Sequence, residues 1–391
     1  MAWLKLKVSD LLSFIFLFLL IFDLKIFGSV GSAVLVFFGC FIYILANPKI
    51  IIEKSKRVIS AFDYFLIAYL FLILFVLLRL MFSGGDDISY LLTMIKSTSI
   101  LLAMFSYLLV FYDDNILEKI VNVFFVNGIF CLFFGTFYEY KPLITVFQYG
   151  EEVFGLIGDS EYRTAFLAGS GYFGISSLYS VAFAIALYVT SNKPTILNFI
   201  KILVIAIAGV LAGRVALVCY FLCIAFFSIR KMSLIYLLGG LFFFCIGYYL
   251  LNNVDYFYNA NAWIMEMFGG KIEESNSIMD LKTMFFIPET TTLLLGDGKY
   301  GGMDTYYGGT DVGYMRNLLF GGAFYMFLVV IVSFLLVYKV KSNFIILVIF
   351  FIALFLHFKA VFLINNPGFF GLFGLVVFYF YNKKKYFMET R

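Results

Sequence analysis

Residues 64–78 read Tyr64-Phe65-Leu66-Ile67-Ala68-Tyr69-Leu70-Phe71-Leu72-Ile73-Leu74-Phe75-Val76-Leu77-Leu78, without a single charge. The apolar run around them, 61–82, has the length of roughly 20 residues that a helix needs to cross a hydrocarbon layer. Working outward, similar runs lie near 10–27, 30–46, 88–111, 119–138, 172–190, 196–212, 215–229, 234–251, 313–338, 344–363 and 367–381. The stretch 196–229 is continuous and is divided at Gly213-Arg214. The pattern implies an all-α polytopic integral membrane protein of about twelve transmembrane helices, with 1–391 as one transmembrane domain.

Composition argues the same way. Of the 391 residues 63% are hydrophobic and 13% charged, where soluble chains run at about 45–50% and about 25%. Mean hydropathy is +1.00. So much apolar surface, with 53 Phe and 28 Tyr, cannot be hidden from water in a single globule. Disorder, secretion, a nucleic-acid partner and a disulfide scaffold are all disfavoured. Cys40, Cys131, Cys219, Cys223 and Cys245 fall inside apolar runs as small buried hydrophobes. With an odd number of cysteines, no CxxC and His357 as the sole histidine, a Cys/His zinc site has no basis.

Orientation follows from the basic residues. Lys5 and Lys7 precede the first run as in a signal peptide, but a second run follows almost at once, so the pair reads as an uncleaved hairpin. With both termini cytoplasmic, Lys54, Lys56, Arg57, Lys119, Lys193, Arg230, Lys231, Lys339, Lys341 and Lys383 to Lys385 all fall inside, as the positive-inside rule requires. Two long segments, 139–171 and 252–312, then face outward. The second carries nine acids against Lys271, Lys282 and Lys299 and is too long for a plain connector. Residues 277–286 within it have helical spacing with an amphipathic face suited to the membrane boundary, and Pro288 stops them. Glycines follow at Gly296, Gly298, Gly301, Gly302, Gly308 and Gly309.

Arginine is scarce, seven against 21 Lys, so each position carries information. Arg57, Arg230 and Arg391 are inner-face anchors. Arg163 lies in the first outer segment after Glu161, before Ala168-Gly169-Ser170-Gly171. Arg214 lies at the turn between two spans, and Arg316 one turn inside the outer end of the span opened by Thr310-Asp311-Val312-Gly313-Tyr314-Met315. A charge within a span is expensive and marks a function or a pair. Three guanidiniums at one leaflet boundary would suit a pyrophosphate, because their planar donor forks match its oxygens. Plainer readings stand beside this one. Arg163 pairs with Glu161, Arg214 snorkels to headgroups, Arg316 pairs with an outer acid, and Asp311 caps its helix. Lys96 and Lys359 read as structural pairs, His357 as a hydrogen-bonded core residue, and Asp23 and Asp86-Asp87 as solvated caps.

These stretches, with Leu295-Gly296-Asp297-Gly298 and Leu319-Phe320-Gly321-Gly322, resemble the O-antigen polymerase and ligase superfamily. The likeness is to the polymerases (Wzy type), since ligases carry a histidine in the large loop and this loop has none. The resemblance covers the whole chain in topology and these short stretches in sequence. It implies a GT-C-type inverting glycosyltransferase in the bacterial inner membrane, its large periplasmic loop holding short helices. Such an enzyme makes lipopolysaccharide O-antigen by joining undecaprenyl-pyrophosphate-linked repeat units, donor and acceptor, at the periplasmic face. It works among membrane lipids alongside a flippase and a chain-length regulator, with no cofactor or metal expected. Candidate catalytic residues are Asp311, Glu161 and Arg214; candidate substrate contacts are Arg163, Arg214, Arg316, Lys299 and Tyr314. Tyr306, Tyr307 and Tyr314 suit sugar faces or an interfacial belt. The rivals are an O-antigen ligase, a lipid-linked oligosaccharide flippase or other transporter, and a metal-dependent transferase using Asp86-Asp87.

Overall fold

The structure, a computed structural model, describes residues 2–28, 30–82, 87–135, 143, 146–147, 166–231, 249, 282–301, 306–364, 366 and 368–389. Among these the chain is helical apart from one small hairpin and an isolated bridge. In order the elements are α1 (Ala2–Phe22), the hairpin β1 (Lys25–Phe27) and β2 (Val30–Gly31), α2 (Ala33–Ala46), α3 (Pro48–Phe82) and α4 (Ser89–Phe111). There follow α5 (Ile116–Phe130), α6 (Tyr172–Asn192), α7 (Ile196–Ala212) and α8 (Arg214–Lys231). The last are α9 (Thr290–Leu295), α10 (Gly313–Val337), α11 (Phe344–Lys359) and α12 (Gly374–Glu389). The runs expected at 234–251 and the helix at 277–286 lie wholly or largely outside the described residues.

Among the described residues five helices are long and apolar enough to cross a membrane: Ile51–Phe82, Ser89–Phe111, Ile116–Phe134, Tyr172–Asn192 and Gly313–Val340. Large apolar side chains such as Ile67, Leu70 and Phe327 remain exposed along them, as befits a surface solvated by lipid. The chain is a membrane-embedded helical protein. The expected run at 10–27 stops sooner, at Phe22. Asp23 turns the backbone to φ 39, and Ser32 then accepts from the Leu24 amide at 2.8 Å and donates to the Leu19 carbonyl at 2.7 Å.

Local signals set other helix ends. Thr195 accepts from the Asn198 amide to cap α7, and Asn343 does the same for α11 through Ile345. Pro48 opens α3, where its missing N–H has no helical role.

The chain divides into two compact units. The first, Met1–Ser32 with Asn115–Ser275, packs α1, α5, α6, α7 and α8. Its α6 is the central helix, where Ser176 and Ser177 donate to the Phe173 carbonyl and Ser180 to that of Ser176. One end of the unit gathers Asp10, Lys119, Glu118 and Lys193 in ion pairs. The second unit, Ala33–Asp114 with Asn276–Arg391, packs α2, α3, α4 and α9 to α12. It has a lysine end, where Lys339 donates to Asp63 at 2.7 Å and Lys384 to the Lys339 carbonyl at 3.2 Å. Its other end is built from loops.

The loop end is shaped by a break in α10. Gly321 (φ −134, ψ 17) and Gly322 (φ 74, ψ −177) leave helical geometry, which releases the carbonyls of Leu319 and Phe320. The amides of Asp297 and Gly298 take them at 2.7 and 3.0 Å, and Arg79 Nε reaches Phe320 O at 3.4 Å. Glycine is required on both sides. A Cβ at Gly322 would lie 2.2 Å from Leu294 O, and one at Gly296 2.6 Å from the Gly321 amide nitrogen. Unmatched backbone groups cannot be left in hydrocarbon, so a broken span needs such a partner.

Candidate functional site

At the loop end of the second unit, Asp87 organises the backbone around it. Its carboxylate accepts from the Ser89 amide at 2.9 Å, from Ser89 Oγ, and from the amides of Tyr300 and Gly301. Burial alone would raise its pKa, but these hydrogen bonds outweigh burial and hold it below the ordinary carboxylate value. Asp87 therefore staples the turn before α4 to the glycine-rich segment and is more than a solvated cap. Asp297 is likewise satisfied, by Thr292 Oγ1 at 2.7 Å and the Tyr307 hydroxyl at 3.0 Å.

Tyr300, positioned by Asp87, forms one wall around Arg316. The Arg316 guanidinium lies 3.7 Å from the Tyr300 ring centroid and 4.0 Å from that of Tyr306, so aromatic faces cover it on both sides. Nη2 donates to the Tyr300 carbonyl at 3.3 Å. The residue is only 8% exposed, yet its Nε is buried with no hydrogen-bond partner. Such a donor is costly to leave unmade and is where a ligand oxygen would be rewarded.

Asp311 lies within the field of this arginine. Burial raises its pKa, and the charges of Lys359 and Arg316 pull it back only in part. Its Oδ1 is buried and also accepts nothing. The cap expected of it is not made: Val312 is the residue before α10, and Thr310 Oγ1 takes the Val312 amide at 3.2 Å. That leaves the Asp311 carboxylate available for other work.

Behind these groups His357 is fully buried and fully engaged. Its Nδ1 accepts from the Phe362 and Leu363 amides at 3.1 and 3.3 Å, which puts the ring proton on Nε2. The Asn317 carboxamide sits 3.0 Å from Nε2, and its oxygen is the group that can receive that proton. A Cβ at Gly313 would fall 2.5 Å from the imidazole, so only glycine fits there. The histidine thus ties α11 to the first turn of α10, where Arg316 stands.

The expected site residues separate as follows. Arg316, Asp311, Tyr314 and Lys299 belong to the second unit and share its loop end. Tyr314 is a packing residue: its hydroxyl donates to the Leu354 carbonyl at 3.1 Å and its ring meets His357 and Phe358. Lys299 is exposed, 5.7 Å over the Tyr307 ring. Tyr306, 51% exposed with Arg316 against one face, is a better platform for a sugar than Tyr314.

Arg214 belongs to the first unit, where it opens α8, half-buried. Gly213 before it would meet Ser176 Oγ at 2.9 Å if it carried a Cβ, so the turn is pressed onto the first turns of α6. The segment leading into α6 is hung on Phe22 O by the Gly169 amide and on Asn127, whose Nδ2 donates to Leu167 O at 2.8 Å. Arg163 and Glu161 lie outside the described residues, and so does Asp86. Arg79 is the contributor the sequence did not single out, while Asp87 was read only as a solvated cap or a metal ligand and Asp297 only as part of a motif.

Comparison with protein-family models, curated proteins and solved structures returned no match.

Proposed function

We propose that the chain is a polysaccharide polymerase of the O-antigen type, a GT-C-like inverting glycosyltransferase with about twelve crossings. It would extend a glycan held on undecaprenyl pyrophosphate at the periplasmic face of the bacterial inner membrane. The observation that carries this reading is Arg316, a guanidinium buried between two tyrosine rings with a donor unmatched, next to an acid in the same condition. A flat, permanently charged donor fork of this kind suits a phosphate oxygen.

In the reaction the acceptor hydroxyl oxygen attacks the anomeric carbon of the donor sugar. The bond from that carbon to the pyrophosphate oxygen breaks, and the leaving carrier keeps the electron pair. Arg316 lowers the barrier by meeting that developing charge. Asp311 takes the hydroxyl proton from the opposite face, and inversion follows from the in-line geometry.

The test is the surface glycan of cells carrying Arg316→Ala or Asp311→Asn at normal protein abundance. Lipid bearing a single repeat unit is the expected product. Unchanged long chains would remove the reading, loss of all surface glycan with repeat units trapped inside would make the protein a flippase, and long chains left on the carrier would make it a ligase.

A further inference from the structure

The segment between Lys282 and Gly301 carries a strip of large apolar side chains left exposed among the described residues. Ile287 is 90% exposed, Leu294 62% and Leu295 67%, with Phe285 and Phe286 partly exposed beside them. In water this strip would be a liability, and its level in the second unit gives the reason it is tolerated.

Three helices fix that level independently. From Gly322, at the break where the segment docks, to Val337, two residues before Lys339, α10 rises about 22 Å at about 1.5 Å per residue. Arg79, bonded to Phe320 and Gly296, stands about 24 Å along α3 from Asp63 on the same count. In α4, Ser89 lies against Gly301 and Leu109 accepts from Lys54, about 30 Å apart. Lys339, Asp63 and Lys54 mark the lysine end, where charged groups leave the hydrocarbon. The hydrocarbon is about 30 Å thick, so the Gly296 dock lies at its opposite edge, within a few ångströms of the acyl chains.

We propose that residues 285–295 form a membrane-inserted element, held in the α10 break by Asp297 and Gly298, whose Phe285, Ile287, Leu294 and Leu295 face the acyl chains of one leaflet. The charges within reach fit this placement. Between Lys282 and Gly296 the sole acid is Glu289, at the start of α9, about 9 Å along that helix from Leu295. Glycine at 296 and 322 brings the two backbones into contact, which draws the segment down onto the span.

The experiment uses the unaltered protein in nanodiscs of phosphatidylethanolamine and phosphatidylglycerol, with a trace of phospholipid bearing a diazirine in its acyl chain. After irradiation, crosslinked positions are mapped by mass spectrometry. Ile67 and Leu70, exposed on α3, are the internal reference. Labelling within 285–295 at a yield comparable with the reference is the expected result. Labelling of α3 with none in 285–295 would overturn the proposal, since the strip would then be covered by protein or lie in water. A second measurement follows the reaction of Ile287→Cys and Lys299→Cys with an impermeant aqueous maleimide. At least a tenfold slower reaction at 287 is expected, and equal rates would overturn it.

Discussion

Two helices of this protein begin alike and then diverge. Both α6 and α10 start behind a glycine-bearing loop, and both have the length and apolar character of a crossing. In α6 Ser176, Ser177 and Ser180 bond to carbonyls of their own helix, and Tyr179 donates to Asn127 of α5 at 2.8 Å. In α10 Arg316 keeps a buried Nε with no partner, Asn317 is tied to His357 of α11, and the helix itself is broken. Polar residues in a span are thus of two kinds. Those satisfied by neighbouring protein groups serve packing, and a spare donor such as Arg316 Nε is what the proposed reading assigns to a phosphate oxygen.

The largest expected effect separates these kinds directly. Arg316→Ala should lower polymerisation about 100- to 1000-fold, the cost of one charge-assisted contact in a preorganised site, about 2.7–4 kcal/mol. Arg316→Lys should lose most of the same activity, because an ammonium fills neither the aromatic slot nor the planar fork. Rates are read on lipid-linked repeat units with purified protein, and near-wild-type turnover by the alanine variant would erase the distinction.

Next comes the backbone. Gly322→Ala and Gly296→Ala place a Cβ against backbone at positive φ and should destabilise by about 1–3 kcal/mol each. Gly171→Ala, before α6, meets nothing within 4 Å and should melt as wild type does. Thermal unfolding in detergent tests the pair, and equal melting temperatures for all three would show that the break is not held by close contact.

A smaller effect concerns pH. Burial raises the Asp311 pKa and Lys359 opposes that rise. A base must be ionised to act, so the acid limb of activity should lie above the ordinary carboxylate range. Lys359→Gln removes the opposing charge and should move the limb to higher pH. A limb that stays put, or moves down, would take Asp311 out of the role of base.

The smallest effect belongs to the packing helix. Ser180→Ala in α6 should change stability by less than about 1 kcal/mol and leave product length alone.

Much of the helical framework was legible because its signals are local. The division at Gly213-Arg214 and the start of α6 after Gly171 are given by residues at those places. The break in α10 was not legible, since apolar residues run unchanged through 313–338 and Leu319-Phe320-Gly321-Gly322 reads as a motif without a geometry. The break exists because Asp297 and Gly298, far back in the chain, supply the amides. Arg79 was missed for the same reason: within its own run it resembles an interfacial anchor, and its partners are Phe320 and Gly296. Arg316 was legible as a rare charge one turn inside a span, but the tyrosine slot that holds it was not, because Tyr300 and Tyr306 are placed by Asp87 and the turns around them.

The joint at Gly321–Gly322 also has a consequence for biogenesis. Residues 296–298 leave the ribosome before 319–322, so the amides that complete α10 are made ahead of the helix they complete. The helix can be received into the bilayer in finished form only after that earlier stretch has been delivered to the end where α10 begins. A chain stalled before delivery would present two bare carbonyls within an otherwise greasy span. The joint therefore makes completion of α10 depend on a stretch of chain synthesised before it.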